Sequence, residues 1–330
     1  MINENIRLKV KILDKIIGND NISLFVHVNP DPDAIGSAVA LINFIKLNFP
    51  EKKVALIGAD KIDKNRVNEY LLNQINFNYK PVNIKEFVSS SLGIVVDTPT
   101  NDRVLTKLNI SCFETLRIDH HPKMETFCNL EWIDEARVAS CEMIAELFME
   151  FRDYIIDKSI INPLYVGLLA DSNRFMYPNT SKRTFKIASW MFNFNFDFDE
   201  INDLLYSKSI LEKKFEDKLF SKVKIKNRVG YMILKSKNIK SSKIYLLSGY
   251  KELDIWTSIY YDFKEHYWCG SIRSKNIPIN KIAERYNGGG HKFAAGFKLK
   301  SKSQFFALIN ELDKLAQEYE KNNTKQQVIL

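Results

Sequence analysis

Carboxylate and imidazole side chains recur directly after apolar runs in this sequence. They are His27, Asp31, Asp33, Asp97, Asp119, His120, His121 and Asp171. Carboxylates brought close together raise one another's pKa unless a positive charge compensates them. Oxygen and imidazole donors without thiolate suit Mn²⁺, Mg²⁺ or Fe²⁺, and this many carboxylates can hold two ions with one carboxylate bridging. Two ions roughly 3.5–4 Å apart can activate a water molecule and clamp a phosphoryl group. The sequence therefore predicts a site for divalent metal.

Each part of this set has a simpler interpretation when it stands alone. The stretch from His27 to Asp33 is by itself more typical of a loop with an Asx-turn than of a metal site. Asp97 alone would be a turn residue after a strand, and Asp171 alone a surface aspartate. Their order in the chain and their placement on one predicted edge are what favour a joint metal site.

The apolar runs before these side chains have the pattern of buried parallel strands. They are "ISLFVHV", "KKVALI", "LGIVVD" and "TLRID", with helical spacing over residues 4–17 and 34–47. Open α/β sheets place ligands at the carboxyl ends of their strands. We therefore expect an α/β fold in which the N-terminal domain has a mainly parallel sheet flanked by helices.

The second half of the chain changes from helical to alternating patterns. "NPLYVGLLAD" predicts a helix that Asn162 caps and in which Pro163 occupies the first turn. Residues 182–220 are also typical of helices, and short strands follow them, namely "VGYMILKS", "IYLLSGY", "IWTSIYYDF" and "HYWCGSIRS". We predict a catalytic domain over residues 1–190, a helical connector over 191–214 and a smaller α+β domain over 215–330.

Composition excludes several classes of protein. The chain has 330 residues, 45% of them apolar and 27% charged, which is typical of a globular protein long enough for two domains. No apolar run approaches the roughly 20 residues that span a bilayer, and the charged N-terminus is unlike a signal peptide, so we expect a cytoplasmic protein without membrane contact. Its four cysteines lie far apart and favour neither zinc nor disulfides. The net charge of +8 suits an anionic partner and a solvated lysine surface equally well.

Five motifs carry a resemblance to a known family. "HVNPDPDAIGSA", "VVDT", "RIDHHP" and "GLLADSNRF" resemble, in this order, the four motifs of the DHH phosphoesterase superfamily. The later "NGGGHKFAAGF" resembles the glycine-rich signature of the C-terminal domain in the RecJ-like branch. The chain departs from the family pattern in the fourth motif, which has Ala170, Ser172 and Asn173 where relatives more often have threonines and a glycine around the aspartate, and in "TPTND" after Asp97.

The resemblance implies two overlapping sets of metal ligands that share one aspartate. One ion would be bound by His27, Asp31 and Asp97, and the second by Asp33, Asp97, His120 and Asp171. Mn²⁺ is the metal that the resemblance favours, with Mg²⁺ or Fe²⁺ as alternatives. Asp119 would orient an imidazole from outside the ligand set. His121 would contact the scissile phosphate or protonate the leaving oxygen.

Substrate contacts are expected from two arginines and from the glycine-rich motif. Backbone amides without Cβ atoms can approach a phosphate closely, so Gly288, Gly289, Gly290 and His291 are candidates, although such a run alone is more often a helix C-cap and turn. Arg174 and Arg273 are candidates because guanidinium pairs bidentately with phosphate, although a lone arginine is more often a solvated surface residue.

Size and domain plan resemble the nano-RNase type of this superfamily. The resemblance implies a metal-dependent phosphodiesterase that removes nucleotides from RNAs of two to five residues and also dephosphorylates 3′-phosphoadenosine 5′-phosphate (pAp). Hydrolysis of cyclic di-AMP or its linear product pApA is an alternative. Inorganic pyrophosphatase and a non-catalytic nucleotide or RNA-binding protein are weaker alternatives, since the glycine motif belongs to the nuclease branch and every ligand position is intact. A homodimer is a further expectation from the family.

Overall fold

The computed structural model describes residues 4–76, 79–237, 239 and 241–327. Contacts divide the chain into two compact units, with the division after Ser207. Each unit has its own sheet and its own buried apolar core, so each is described by itself. None of the helices in the described ranges is both long enough and apolar enough to cross a bilayer.

A parallel sheet forms the centre of the first unit. Its elements are α1 (Glu4–Gly18), β1 (Asn21–Phe25), α2 (Pro32–Asn48), β2 (Lys53–Leu56), α3 (Arg66–Asn73), α4 (Ile84–Ser89), β3 (Leu92–Val96), β4 (Glu114–Asp119), β5 (Leu130–Ile133), α5 (Ser140–Glu150), α6 (Lys158–Asp171), α7 (Lys182–Met191) and α8 (Phe198–Tyr206). The strand order is β2-β1-β3-β4-β5, and every neighbouring pair is parallel. The predicted α/β fold with a parallel sheet is confirmed.

Close packing of α2 against α6 fixes the entrance to α2. The contact requires glycine on both helices, because a Cβ at Gly36 would lie 2.4 Å from the carbonyl oxygen of Pro163. A Cβ at Gly167 would lie 2.3 Å from the sulfur of Cys141 and 3.0 Å from the Cα of Asp33. Interiors packed this tightly leave little freedom to the backbone at the first turn of α2.

Helix α6 begins earlier than the sequence analysis predicted. The prediction that Asn162 caps the helix is wrong, because Asp157 is the N-cap and accepts a hydrogen bond from the Ser159 amide at 3.0 Å. Pro163 therefore lies inside the helix, where it has no amide hydrogen to give to the Ser159 carbonyl. The side-chain amide of Asn43 donates to that carbonyl at 2.7 Å instead, which removes much of the penalty for an interior proline.

A mixed sheet forms the centre of the second unit. Its elements are α9 (Ile210–Phe220), β6 (Lys224–Lys226), β7 (Val229–Leu234), β8 (Ile255–Asp262), β9 (Tyr267–Ser274), α10 (Asn280–Arg285), β10 (Gly289–His291), β11 (Ala294–Leu299) and α11 (Lys302–Gln327). The strand order is β10-β11-β9-β8-β7-β6, antiparallel except for β7 with β8. The predicted α+β character of this region is confirmed.

One local prediction for the second unit is wrong. The stretch "IYLLSGY" is not a strand, since Ile244–Leu247 forms a 3₁₀ turn after Lys243, which has a left-handed φ of 50°. Its apolar residues are explained by burial of Leu247 against Met232 and Leu253 rather than by strand pairing. In the glycine run, Gly289–His291 pairs with β11 as an antiparallel strand.

Candidate metal centre

The carboxyl ends of β1, β3 and β4 deliver the predicted side chains to one edge of the parallel sheet. His27 follows β1, Asp97 follows β3, and Asp119 ends β4 with His120 behind it. Asp97 has a left-handed φ of 52°, which is uncommon for a residue with a side chain and costs on the order of 1–3 kcal/mol. Its amide donates to the Ile118 carbonyl at 2.9 Å, so the sheet maintains this conformation.

The first group of donors combines His27, Asp31 and Asp97. The Nε2 atom of His27 lies 3.6 Å from Asp97 Oδ2 and 3.9 Å from Asp31 Oδ1. Asp31 is also the N-cap of α2, because its Oδ1 atom accepts hydrogen bonds from the amides of Asp33 and Ala34, each at 3.0 Å. Capping fixes the Asp31 side chain beside the imidazole and leaves its other oxygen available.

The second group of donors surrounds His120. Its Nε2 atom lies 3.3 Å from Asp97 Oδ1, 3.3 Å from Asp171 Oδ2 and 3.8 Å from Asp33 Oδ2. These aspartates come from β3, from the end of α6 and from the first turn of α2. Asp97 is thus adjacent to both histidines, and the two groups share it.

The N-terminus of α5 contributes to this site, which the sequence analysis missed. Ala139 is the N-cap residue and has no side chain that can cap the helix. Asp33 takes that role from α2, since its two oxygens accept hydrogen bonds from the amides of Ser140 at 2.7 Å and Cys141 at 2.8 Å. The hydroxyl of Ser140 donates to Asp97 Oδ1 at 3.2 Å. No pattern in "RVASCE" indicates this contact, because Ser140 would itself be taken for the capping residue.

A carbonyl oxygen orients the imidazole of His120. Its Nδ1 atom lies 3.3 Å from the carbonyl oxygen of Arg137, an arrangement that leaves Nε2 as the atom available to a metal. The Arg137 side chain is 1% exposed and pairs with Asp134 at 2.7 Å and with Glu146. This buried ion pair holds the segment that supports His120, and it too was missed because no local motif announces it.

Asp119 contacts the second histidine of the motif and a buried arginine. Its Oδ1 atom lies 2.8 Å from His121 Nδ1 and accepts from the His121 amide at 3.1 Å. Its Oδ2 atom accepts from Arg117 at 2.5 Å, and both side chains of this pair are fully buried. Asp119 is therefore placed to orient His121, which is 22% exposed and lies 3.5 Å from Asp97.

Burial and neighbouring charges shift the pKa values of these groups away from their usual values. Burial, together with the charge of Asp97, raises the pKa of Asp33 well above its usual value. Burial also raises the pKa of Asp171, to about 6. Burial lowers the pKa of His120, but its contacts with carboxylates outweigh this effect and hold that pKa well above 6.5. Burial would raise the pKa of Asp97, yet the neighbouring imidazoles of His120 and His27 keep it well below its usual value.

The donor set fits divalent cations. Among the described residues, no group lies within hydrogen-bonding distance of Asp97 Oδ2, although this oxygen is buried. A buried carboxylate oxygen without a partner is costly unless something neutralises it. The groups His27, Asp31, Asp97 and Asp33, Asp97, His120 each offer ligand atoms within 4.8 Å of one another. Carboxylate oxygens and imidazole nitrogens without thiolate are ligands for hard to borderline metals.

A left-handed turn places Arg174 just after Asp171. Asn173, Arg174 and Phe175 have φ values of 47°, 62° and 63°. Asparagine, which occupies position 173, is among the side chains that best tolerate this conformation. The guanidinium of Arg174 lies 4.9 Å from the ring centre of Tyr206, whose hydroxyl donates to the Leu169 carbonyl at 3.2 Å. Tyr206, on α8, is a contact of Arg174 that the sequence analysis did not foresee.

The remaining predicted residues lie in the second unit, on β9 and on or just before β10. Ala294 pairs with Arg273 on β9 and with His291 on β10. Directly paired residues of antiparallel strands project to the same face, so Arg273 and His291 lie on one face of this sheet. Gly290 has a φ of 137°, which residues with a side chain rarely adopt, and Gly288 and Gly289 precede it.

Known proteins share this arrangement of domains. Residues 21–169 match the model of the DHH family N-terminal domain, and residues 224–318 match the DHHA1 domain. The bifunctional oligoribonuclease and PAP phosphatase NrnA of Mycoplasma genitalium is 30% identical, over 88% of this chain and 92% of its own length. The chain belongs to the DHH family. It is therefore a phosphoesterase, and the hydrolase and DHH predictions are confirmed.

Two further proteins are similar to this chain over nearly its whole length. The M. genitalium protein MG371, which is described as uncharacterized, is 38% identical over 94% of both chains. The solved structure of an exopolyphosphatase-related protein from Bacteroides fragilis has a TM-score of 0.74 at 20% identity, covering 96% of this chain and 97% of its own. The latter shows that this DHH protein shares its fold. The clustered aspartates and histidines agree with the metal dependence of the family.

Metal binding by this DHH protein is expected to release protons. Burial lowers the pKa of His27, but Asp31 and Asp97 outweigh it and hold that pKa well above 6.5, as they do for His120. Raised histidine pKa values stabilise the metal-free fold below the unfolded value near 6.5, and this stabilisation disappears as pH rises through the higher folded values. A metal accepts only the neutral imidazole. Mn²⁺ affinity should therefore increase as pH rises above 6.5.

Calorimetric titration of the metal-free protein with Mn²⁺, in buffers of different ionisation enthalpy, measures the protons released at each pH. The rise of melting temperature on adding Mn²⁺ should also grow over this range, because the metal-free form loses stability while the loaded form does not. An affinity that stays constant from pH 6.5 upward, with no proton release, would contradict the prediction.

Proposed function

We propose that the protein is a two-metal phosphodiesterase that cleaves short oligoribonucleotides to mononucleotides and converts pAp to AMP. The observation that carries the proposal is the position of Asp97, which is shared by two donor groups and has a buried oxygen without a hydrogen-bond partner in the described part of the chain. The name of the relative NrnA, oligoribonuclease and PAP phosphatase, supports this choice of substrates. We propose Mn²⁺ as the metal.

Within this proposal, His27, Asp31 and Asp97 hold one ion, and Asp33, Asp97, His120 and Asp171 hold the other. When bound, such ions lower the pKa of water and neutralise charge on a phosphoryl group. The chain's own contribution is to position these ligands before substrate arrives. Capping of α5 by Asp33 and the hydrogen bond between His120 and the Arg137 carbonyl both restrict ligand movement.

His121 is proposed as the group that protonates the leaving ribose oxygen. Its Nδ1 atom lies 2.8 Å from Asp119, which fixes the orientation of the ring. With Nδ1 engaged in this way, Nε2 is the ring nitrogen left to face the leaving oxygen. Arg117 keeps Asp119 ionised and fixed in place. Asp119 therefore acts through His121 and does not need to reach the substrate.

Substrate phosphates are proposed to contact Arg174 in the first unit and Arg273, His291 and the glycines 288–290 in the second. Arg174 is exposed and is braced by Tyr206, so its guanidinium is partly ordered before binding. Residues 1–190 are proposed as the catalytic domain, residues 191–214 as a helical connector and residues 215–330 as the substrate-binding domain.

Hydrolysis of cyclic di-AMP or pApA is the second candidate. The observation that favours it is that M. genitalium has a relative named NrnA at 30% identity and a different one, MG371, to which this chain is more similar at 38%. Two full-length relatives in one organism are expected to differ in substrate. Because this chain is more similar to MG371 than to NrnA, we do not assign its substrate from the name NrnA alone.

One assay distinguishes these candidates. We expect the purified protein with Mn²⁺ to hydrolyse pApA and other two- to five-residue RNAs, and pAp more slowly, with little action on RNAs longer than about ten residues. Rates on cyclic di-AMP measured under the same conditions decide between the two candidates, since a rate above that on pApA would favour the second. Absence of hydrolysis of pApA, the other short RNAs, pAp and cyclic di-AMP would refute both candidates.

A further inference from the structure

The solvent-facing side of α7 combines three cations with an aromatic ring. Ser181 caps this helix, and Lys182, Arg183, Phe185 and Lys186 are exposed on it, whereas its opposite side is buried in the core. Phe185 is 56% exposed, although its ring centre lies 5.4 Å from that of Phe175. Several large apolar side chains are exposed on this protein, and Phe185 is distinguished by the cations on either side of it in α7.

A recess of about 760 Å³ lies beside this face, between α5 and α7. Arg152, Lys182, Arg183 and Lys186 line it together with two acids, Glu146 and Glu150. Both acids already have buried partners on their other side. Lys9 lies 2.9 Å from Glu150 and 3.4 Å from Glu146, and Arg137 pairs with Glu146.

The cations of the recess are therefore not neutralised. Arg183 lies 3.8 Å from Glu146, which it shares with the buried cations. Elsewhere in the described part of the chain, no carboxylate forms an ion pair with Arg152, Lys182 or Lys186. The recess keeps a net positive charge, and its chemical complement is a polyanion.

Two connections place α7 next to the metal centre. The side-chain amide of Asn179 donates at 3.3 Å to the Arg137 carbonyl, which is the same oxygen that His120 Nδ1 contacts at 3.3 Å. Lys182 is three positions after Asn179, a reach of at most about 10 Å. Phe175, which packs on Phe185, follows Asp171 by four residues. These contacts place the start of α7 close to the His120 ring, on its Nδ1 side.

We propose that Arg152, Lys182, Arg183, Phe185 and Lys186, here called the α7 surface, bind the nucleotides of an RNA strand that lie beyond the scissile phosphate. The inference rests on the proposed function and extends it. Cations that follow a phosphate backbone, combined with an exposed ring on which a base can stack, are the features that bind single strands without sequence preference. The α7 surface gives the enzyme its preference for an RNA of several nucleotides over a mononucleotide such as pAp.

Salt dependence of binding tests the surface without catalysis. The full-length protein in EDTA is titrated with a fluorescein-labelled five-residue RNA at several salt concentrations. The variant K182Q/R183Q/K186Q should lower the slope of log affinity against log salt by about 2, because each lost phosphate contact contributes about 0.7. The matched control R7Q/K11Q/K85Q removes three exposed cations from α1 and α4 and should leave the slope unchanged. Phe185→Ala should weaken binding about tenfold, and Phe185→Trp should retain it.

Turnover supplies the second measurement. The ratio of kcat/KM for the five-residue RNA to that for pAp should fall about tenfold in K182Q/R183Q/K186Q and stay constant in the control. A wild-type protein that hydrolyses neither substrate would refute the proposed function, while the EDTA titration would still decide on the surface. Equal salt slopes for K182Q/R183Q/K186Q and the control, or an unchanged ratio in an active enzyme, would overturn the inference.

Discussion

Replacement of Arg117 by leucine is expected to lower the free energy of unfolding by about 3–5 kcal/mol, because it leaves a buried carboxylate without its partner. Arg117 and Asp119 are both fully buried and lie 2.5 Å apart. The guanidinium also donates to the Pro99 carbonyl at 3.0 Å and lies 4.8 Å from the ring centre of Phe127. Urea unfolding of the metal-free protein at pH 7 measures the loss.

A double-mutant cycle with Asp119→Asn separates the ion pair from the lost packing. Once Arg117 is replaced, removal of the Asp119 charge should recover part of the stability, so the two changes together should cost less than their sum. Arg285→Leu is a suitable control, since Arg285 pairs with Glu311 at 3.1 Å but is 56% exposed, and pairs of this kind contribute about 0–1 kcal/mol. Strict additivity of Arg117→Leu and Asp119→Asn would contradict the account of a buried pair.

Replacement of Asp97 by asparagine is expected to reduce kcat roughly 10⁴-fold. The substitution keeps the volume and one oxygen, but it removes the charge that both histidines face. Ser140 can still donate to the remaining oxygen, so the local packing is retained. Because Asp97 belongs to both donor groups, this single change should lower the affinity for both proposed ions. Steady-state hydrolysis of pApA and calorimetric titration with Mn²⁺ measure the two effects.

Asp102→Asn is the matched control for this prediction. Asp102 follows β3 a few residues after Asp97, yet its side chain is fully exposed and pairs only weakly with Lys107. Its replacement should change neither Mn²⁺ binding nor kcat. Full activity of Asp97→Asn, or loss of one Mn²⁺ while the other binds with unchanged affinity, would rule out a shared ligand.

The sheet and its functional edge are predictable from sequence because both follow from continuous apolar runs. The run from Leu92 to Val96 is buried along its whole length, as expected for a strand that is covered on both faces of the sheet. Parallel strands all end at the same edge, so the polar residues that follow these runs come together whatever the loops do. The metal ligands proposed from this reasoning are therefore close neighbours in the fold.

Supporting contacts are not predictable in the same way, because they depend on tertiary packing. Nothing local indicates that Asp33 caps α5 or that the carbonyl of Arg137 faces His120. The start of α6 was mispredicted for the same reason. Pro163 lacks an amide hydrogen for the Ser159 carbonyl, and nothing in the sequence indicates that the side chain of Asn43 supplies this hydrogen bond. Short strands such as Leu130–Ile133, which is only partly buried, also lack a pattern strong enough to detect.

We expect the packing of α2 on α6 to limit the size of ion that the proposed metal site accepts. Asp33 lies in the first turn of α2 and Asp171 ends α6, and the two helices meet at Gly36 and Gly167 with no room for one further methyl group. The two aspartates are therefore carried by helices in close contact. The distance between their carboxylates can change less than it could if the aspartates stood on flexible loops. Calcium, with its longer bonds and its six to eight ligands, needs that freedom, whereas the smaller octahedral ions do not.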